Sequence, residues 1–276
     1  MPLAQLVFIR FLVQAVVLTP LVFFTGRLWR TRGWVLGLVV LRTFLHILGI
    51  GAMFTALKFL PLADAVAIAF VMPFIMLLLG KLVLKEDVGS RRVWACLVGF
   101  CGTLMVVQPS FQEVGWPALL PIFVAVNFAF FMLITRQISR NTDPVGLQAV
   151  SAFIAMAVMV PVMLFFQAFE ATAPVMIAVS SLDMALLVSI GLCGTAAHLL
   201  MTWSLRFAPS ATLAPMQYLE IPVATLLGFL VFSDWPDPLA SAGIAVTIGA
   251  GIYVILRERT IAAPVASAPV PAPPAE

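Results

Sequence analysis

Nine runs of about 20 apolar residues fill most of the chain, and only short polar connections separate them. As a helix, a run of this length crosses a hydrocarbon core roughly 30 Å thick, at about 1.5 Å per residue. The period-two alternation of a membrane β-barrel is absent. Because backbone groups must be paired within lipid, the sequence predicts an all-α polytopic membrane protein. The predicted spans are residues 3–24, 34–56, 62–84, 91–107, 116–136, 147–169, 183–205, 211–232 and 238–256.

The composition fits no water-soluble class. The chain is 63% apolar and only 10% charged, with a mean hydropathy of +1.13. It carries no Walker-type glycine–lysine loop, so any energy must come from a gradient or from a separate subunit. The three cysteines form no CxxC pair and are expected to be small apolar fillers, which leaves no predicted metal, cofactor or catalytic residue.

An internal repeat relates the two halves of the chain at an offset of 148 to 149 residues. Ala56-Leu57-Lys58-Phe59-Leu60-Pro61 returns as Ser204-Leu205-Arg206-Phe207-Ala208-Pro209, and Pro73 answers Pro222. Segment 116–136, however, aligns with positions before residue 1. The pattern predicts two five-helix repeats, a ten-helix fold, with the first helix missing and a truncated start as one explanation. The predicted domains are residues 1–108, 109–256 and a disordered Ala/Pro-rich cytoplasmic tail at 257–276.

The distribution of basic residues predicts the orientation. With the C-terminus in the cytoplasm, eleven Lys and Arg residues fall on the cytoplasmic side and Lys58 alone falls outside. Five spans per repeat make the repeats inverted, so Lys58 and Arg206 are expected on opposite faces. The cytoplasmic residues are Arg27, Arg30, Arg32, Lys85, Arg91, Arg92, Arg136, Arg140, Arg206, Arg257 and Arg259; the acids expected outside are Glu113, Glu170, Asp183, Asp234 and Asp237.

Polar side chains deep within spans are the candidate functional residues, because each costs several kcal/mol unless it faces a partner or water. Arg42 and His46 share a helical face, as do Arg10 and Gln14, at spacing i, i+4. Gln217 and Glu220 lie at i, i+3 close to Pro222. Asn127, His198 and Asp64 complete the set.

Each candidate also has a structural interpretation. Arg10 either serves the solute pathway or simply snorkels, and the two histidines are expected to be interhelical hydrogen-bond partners rather than proton carriers. Asn127 and Gln14 suit the same packing role. Glu220 is either a partner for the deep cations Arg10 and Arg42 or the titrating group of a pump. Two arginines against one glutamate favour an anionic or zwitterionic solute.

Prolines and aromatic residues add a further expectation. Prolines 73, 215 and 222 are expected to break or bend the two equivalent spans, as in helices that bind solutes at the membrane midplane. Several aromatic side chains could line a cavity for planar solutes, although contact with lipid is the commoner fate of such residues. They are Phe44, Phe70, Phe131, Trp203 and Tyr218.

The block from Ala56 to Ala65, with Pro73, Glu86 and Gly99-x-x-Gly102, resembles the EamA domain of the drug/metabolite transporter superfamily. The segment from Ser204 through Pro222, Asp234 and Gly251 resembles it again, with Asp234 in place of the usual glutamate. The resemblance implies two inverted five-helix repeats, a central cavity and alternating access in a bacterial inner membrane. It also implies a metabolite as solute, such as an amino acid, a nucleoside, S-adenosylmethionine or riboflavin.

The predicted function is therefore a secondary transporter, with proton-coupled export preferred and an importer or facilitator as the alternative. Its substrate site is predicted at Arg42, His46, Asn127, Tyr218, Gln217 and Glu220, with Glu220 as the coupling residue. No nucleic-acid partner is expected, and a homodimer through Gly33 and Gly37 is left open. An intramembrane enzyme would need a nucleophile with a base or a metal cluster at depth, and no HExxH or GxSxG motif supplies one. A membrane scaffold is the remaining alternative.

Overall fold

The structure is a computed structural model that describes residues 2–25, 33–109, 115–140, 142–169, 177–233 and 236–266. Its helices are α1 (Leu3–Thr25), α2 (Trp34–Ala56), α3 (Leu62–Ala69), α4 (Met72–Leu82), α5 (Ser90–Val107), α6 (Leu119–Ser139), α7 (Pro144–Phe169), α8 (Ser181–Phe207), α9 (Ser210–Leu213), α10 (Glu220–Phe232) and α11 (Pro238–Ala266). Short 3₁₀ turns at Trp116–Ala118 and Pro215–Leu219 precede α6 and α10.

These helices form nine segments that are long and apolar enough to cross a membrane, within the part of the chain that the structure describes. No strand occurs among the same residues. The prediction of an all-α polytopic membrane protein is therefore confirmed. Several sequence predictions concern residues outside the described ranges, namely Arg27, Arg30, Arg32, Glu113, Glu170, Asp234 and residues 267–276.

Two of the predicted spans are broken near their middles. The predicted span 62–84 consists of α3 and α4, with Phe70 and Val71 between them. The predicted span 211–232 consists of α9, a 3₁₀ turn and α10. Because proline donates no backbone hydrogen bond and its ring clashes with the preceding turn, prolines 73, 215 and 222 account for the position of both breaks. The expectation that these two equivalent spans break or bend is confirmed.

The last helix is longer than the sequence predicts. A disordered tail is predicted to begin at residue 257, whereas α11 continues to Ala266. Residues 258–266 include three alanines and one proline, Pro264, so the helix does not end where the Ala/Pro-rich composition begins.

Close helix contacts hold the bundle together. The core helix α6 packs against α2 and α4, α1 packs against α7 and α8, and α5 packs against α11. Gly191 lies against Val13, where an added Cβ would approach the valine Cβ to 2.6 Å, so only a small residue lets α1 and α8 come this near. Gln14 donates a hydrogen bond to the Gln148 carbonyl (2.8 Å) and thereby joins α1 to α7.

Equivalent helices of the two repeats are not equally buried. Less of α8 and α10 is buried than of their counterparts α2 and α4. The helix α6 packs against α2 and α4 and contributes to their greater burial.

Candidate functional site

The two broken spans meet near the centre of the bundle. The hydroxyl of Tyr218, in the turn before α10, donates a hydrogen bond to the carbonyl of Phe70, which lies in the break between α3 and α4 (3.1 Å). The two rings stack with their centroids 5.7 Å apart and an interplanar angle of 26°. Gly99 of α5 makes room for Tyr218, since a Cβ at Gly99 would lie 2.5 Å from the ring. Tyr218 is fully buried and therefore fixes the breaks against each other.

Two cavities lie beside these breaks. The large cavity, of about 480 Å³, lies between α6, α8 and the segment α9–α10. The small cavity, of about 210 Å³, lies between α2, α3, α4 and α6. The large cavity is lined by Phe128, Met132, Ala197, His198, Met201, Ser204, Leu213, Met216, Gln217 and Glu220. The small cavity is lined by Met53, Val66, Ala69, Phe70, Met72, Val124, Ala125, Phe128, Gln217 and Glu220.

Gln217 and Glu220 line both cavities, together with Phe128. Glu220 begins α10 directly after the 3₁₀ turn, and its side chain is exposed rather than packed. Among the residues that the structure describes, none forms an ion pair or hydrogen bond with its carboxylate. A carboxylate on the wall between two cavities can take up a proton or face a positively charged group of a solute.

Arg42 lies in the packed interior of α2, α6 and α7. It is fully buried; its Nε donates to the Thr135 hydroxyl (2.7 Å) and its Nη1 donates to the Ser151 hydroxyl (2.8 Å). Its Cζ lies 4.4 Å from the centroid of the Phe131 ring, in a cation–π contact. Nη2 has no hydrogen-bond partner in the described part of the chain.

The two histidines lie next to each other beside Phe131. The ring centroids of His46 and His198 are 4.3 Å apart, and each ring also contacts Phe131. Arg10 Nη2 lies 2.9 Å from His198 Nε2, so α1 and α8 are bridged at this point. His198 is thus the interhelical hydrogen-bond partner that the sequence predicts, whereas His46 Nε2 has no partner. We refer to Arg10, Arg42, His46 and His198 as the polar centre.

The six predicted site residues therefore fall into three places. Gln217 and Glu220 line the cavities, and Arg42 and His46 belong to the polar centre without lining either cavity. Asn127 donates to the Leu45 carbonyl (2.6 Å) and packs over Gly49, and Tyr218 packs in the core, so neither lines a cavity. Depth along a span suggested five of the six, and Tyr218 was predicted as an aromatic lining residue. Periodicity gives the face of a helix but not what covers that face.

The predicted aromatic lining is only partly present. Phe70 lines the small cavity. Phe131 is fully buried beneath the polar centre, and the exposed Phe44 and Trp203 line neither cavity. Phe128 and the methionines of the large cavity were not among the predicted residues. The flexible thioether side chains of these methionines adapt to different solutes.

A second polar cluster lies at the end of the bundle that the charge distribution assigns to the cytoplasm. We call it the Glu86 cluster, and it consists of Glu86, Arg136, Ser210 and Ala211. Glu86 Oε2 accepts hydrogen bonds from Ser210 Oγ (2.6 Å) and the Ala211 amide (3.0 Å), and its Oε1 accepts from the Ser210 amide (3.2 Å) and Arg136 Nε (3.4 Å). Arg136 Nη1 also donates to the Leu205 carbonyl. Glu86 of the first repeat thereby caps α9 of the second.

The surroundings of Glu86 favour its ionised form. Burial acts to raise the pKa of this carboxyl, but the hydrogen bonds from the Ser210 hydroxyl and from the Ala211 and Ser210 amides, with the Arg136 charge, outweigh burial. The net effect is a pKa lowered from its ordinary value of 4.5. In the sequence, Glu86 stood out only as part of a family motif. Its partner Ser210 lies 124 residues away, so no local pattern predicts the pair.

No group of three or more His, Cys, Asp or Glu side chains that could hold a metal ion occurs within the described ranges. Cys96 is buried in the core, and Cys101 and Cys193 are exposed on their helices; all three are free thiols.

Gly33 adopts a positive φ of 60° before α2, a backbone conformation that favours glycine. Gly33 therefore has a backbone role at the N-terminus of α2.

Within the described ranges, nine segments apolar enough to cross a membrane, with two proline-broken spans beside a cavity, define an integral membrane protein of the solute-transporter class. Comparison with known proteins names the family: the EamA-like transporter family matches residues 1–108 and again residues 115–257. The chain belongs to this family, and the resemblance seen in its sequence motifs is confirmed.

Curated relatives of this chain are named as metabolite transporters. The S-adenosylmethionine uptake transporter of Rickettsia prowazekii is 24% identical over 92% of this chain and 83% of the relative. The riboflavin transporter of Brucella anthropi is 26% identical over 93% of this chain and 89% of the relative. The pseudopaline exporter CntI of Pseudomonas aeruginosa is 26% identical over 88% of this chain and 82% of the relative. The protein is accordingly a transporter of small metabolites.

A solved crystal structure has the same fold. It superposes with a TM-score of 0.75 at 19% sequence identity and covers 93% of this chain and 89% of its own. At this identity the likeness concerns the fold alone.

Proposed function

We propose that this protein is a secondary active transporter that exports a small metabolite across the bacterial inner membrane by alternating access, coupled to protons at Glu220. The observation that carries the proposal is the position of Glu220, an unpaired carboxylate on the wall shared by both cavities and at the break of a span. A group placed there can bind a proton on one side of the membrane and release it to make way for solute on the other.

The predicted residues take different parts in this proposal. Gln217 and Glu220 contact the solute, because they line both cavities. Arg42 contributes positive charge to the polar centre, and His46 packs against the His198 ring. Asn127 and Tyr218 position the helices through their bonds to the Leu45 and Phe70 carbonyls. The C-terminus lies in the cytoplasm, as the basic residues favour.

Proton antiport determines the preferred direction. Protons enter a bacterium down their gradient, so an antiporter uses them to move solute outward. The alternative is an importer or facilitator, and a specific observation favours it: several relatives at similar identity are named S-adenosylmethionine uptake transporters. Their names leave uptake and export open for this chain.

The test is flux in proteoliposomes that contain the full-length chain, with radiolabelled S-adenosylmethionine, riboflavin and the twenty L-amino acids as probes. We expect an imposed pH gradient to drive accumulation of at least one probe. Glu220→Gln should abolish the gradient-driven accumulation and retain solute exchange at equal pH. Asp87→Asn, which alters an exposed carboxyl outside the cavities, is the control and should behave as the wild type.

Two results would count against the proposal. Proton-driven flux at the wild-type rate in Glu220→Gln would remove Glu220 from the coupling step. Absence of flux for every probe, in wild-type protein shown to be folded, would favour the scaffold or enzyme alternatives. The direction follows from comparing gradients that are acidic inside with gradients that are acidic outside.

A further inference from the structure

The polar centre concentrates positive charge and hydrogen-bond donors within the apolar bundle. The side chains of Arg42, His46 and His198 are each more than nine-tenths buried. Arg10 reaches the same place over Gly194, where a Cβ would lie 2.8 Å from the arginine Nε. Arg10 contacts His198, His198 contacts His46, and Arg42 joins them through the Phe131 ring, so two guanidinium groups lie in the polar centre.

No acidic side chain of the described residues forms an ion pair with Arg10 or Arg42. The partners of Arg42 are the hydroxyls of Thr135 and Ser151, which satisfy donors but carry no charge. Burying a cation among apolar helices costs several kcal/mol unless an anion or a set of acceptors compensates it. Packing alone would be served at lower cost by a neutral glutamine.

The hydrogen-bond pattern shows which kind of group is missing from the polar centre. Because a guanidinium can only donate, the contact between Arg10 Nη2 and His198 Nε2 makes that ring nitrogen the acceptor. The proton of neutral His198 then resides on Nδ1, which is buried and finds no acceptor among the residues that the structure describes. Arg42 Nη2 is a second buried donor without an acceptor. Both of these groups are donors that need an acceptor.

The polar centre also has access to a solute. His198 lines the large cavity, and Glu220 lines the same cavity from α10. Phe128, Met132 and Met201 supply an apolar wall between them. A solute in this cavity meets an imidazole backed by two guanidinium groups at one helix and a carboxylate at another.

We propose that Arg10, Arg42, His46 and His198 form a binding site for a carboxylate group of the transported solute. The proposal rests on the transport function proposed above and names its substrate class, a solute with a free carboxylate, an apolar body and a cationic group that faces Glu220. A carboxylate offers up to four lone-pair positions to donors and neutralises one of the two guanidinium charges. Riboflavin, which has no carboxylate, lies outside this class, whereas S-adenosylmethionine lies within it.

Binding to the purified full-length protein in micelles tests the site directly. The probes are the twenty L-amino acids and S-adenosylmethionine, each compared with its carboxamide or methyl ester, in which the negative charge is removed. We expect at least one acid to bind about tenfold or more tightly than its neutral derivative, as measured by isothermal titration calorimetry. Equal affinity within every pair, or no binding by any acid, would overturn the proposal.

Variants locate the site. Arg42→Gln should reduce the preference for acid over neutral derivative to near unity, and Arg42→Lys should retain most of it because the charge remains. His198→Gln should reduce the preference in the same way. Arg140→Gln, an arginine substitution outside the cavities, should leave the ratio unchanged. An unchanged ratio in folded Arg42→Gln and His198→Gln would overturn the site.

Inorganic anions distinguish a general anion site from a solute-carboxylate site. Chloride and inorganic phosphate should compete weakly with the acid probes, since neither carries the apolar body that fits the cavity. Competition by either ion as strong as that of the acid itself would contradict the assignment to a solute carboxylate.

Failure of the site and failure of the transport function give different results. Flux of acids and neutral derivatives at equal rates would overturn the carboxylate site and leave the transporter intact. Acid-selective binding that requires Arg42, without flux of any probe, would support the site and remove the proposed transport.

Discussion

Tyr218 donates its hydroxyl hydrogen bond to the carbonyl of Phe70, a residue that precedes it by 148 positions. This separation is also the repeat offset, so the two stacked rings occupy equivalent positions in the two halves of the chain. The breaks in the two equivalent spans therefore meet at this contact. A rearrangement of one repeat against the other must either preserve this contact as a pivot or break it.

Tyr218→Phe should destabilise the protein by about 1 kcal/mol, because the phenylalanine leaves the Phe70 carbonyl without its donor. Thermal unfolding in micelles measures the effect. Tyr253→Phe is the matched control, since Tyr253 is the only other tyrosine and lies exposed on α11. Equal unfolding temperatures for the two variants would show that the hydroxyl bond contributes nothing.

The contact between α5 and α11 predicts a second difference in stability. At Gly243 an added Cβ would lie 2.6 Å from the Gly102 carbonyl oxygen, and the backbone cannot move aside cheaply. Gly243→Ala should therefore cost about 1–3 kcal/mol. Gly249→Ala on the same helix, where nothing lies within 4 Å, should be neutral or slightly stabilising. Similar unfolding temperatures for both variants would contradict the packing of these helices.

The sequence predicts which residues form helices far better than it predicts which side chains contact one another. Apolar length and proline position are local properties, so the spans and both breaks were predictable. The bond between Arg10 and His198 joins residues 188 positions apart, and no periodicity indicates such a pair. Glu220 was predictable as a candidate because a carboxylate at depth is costly wherever it points. Asn127 was also predicted from its depth, and the structure pairs it with a carbonyl of the neighbouring helix α2.

Some of the basic residues that predict the orientation also make contacts between helices. Arg136 counts as one of the basic residues that predict the cytoplasmic side, and it also contacts Glu86 and the end of α8. Ser210 gives no signal in the sequence beyond its position at the start of a span. The Glu86 cluster became apparent only when the fold brought the two repeats together.

Glu86→Gln should destabilise the protein by about 1–2 kcal/mol, because charge-assisted hydrogen bonds to Ser210, Ala211 and Arg136 become neutral ones. The unfolding temperature in micelles is the measurement. Asp87→Asn changes the adjacent, exposed carboxyl and should have little effect. If the two variants lost the same stability, the Glu86 cluster would not join the repeats as described.

The stability contributed by Glu86 should depend on pH. Its pKa is lowered in the folded protein, because the hydrogen bonds and the Arg136 charge outweigh the effect of burial. The contribution is therefore fully present above the ordinary pKa of 4.5 and is lost as the pH falls through the lower pKa of the folded state. The difference in unfolding temperature between wild type and Glu86→Gln should stay constant from neutral pH to about pH 5 and shrink below it. A difference that grew on acidification would have the wrong sign.

Lys58 and Arg206 test the inverted arrangement, since they are equivalent in the repeat and both are exposed. Lys58→Cys and Arg206→Cys serve as each other's controls, in a background with the three native cysteines replaced by alanine. A membrane-impermeant maleimide should label Lys58→Cys in intact cells and label Arg206→Cys only after permeabilisation, because basic residues accumulate on the cytoplasmic side. An odd number of spans per repeat requires equivalent loops to lie on opposite faces. Labelling of both positions from the same side would mean that the halves are parallel, and the two cavities could not then alternate about a shared axis.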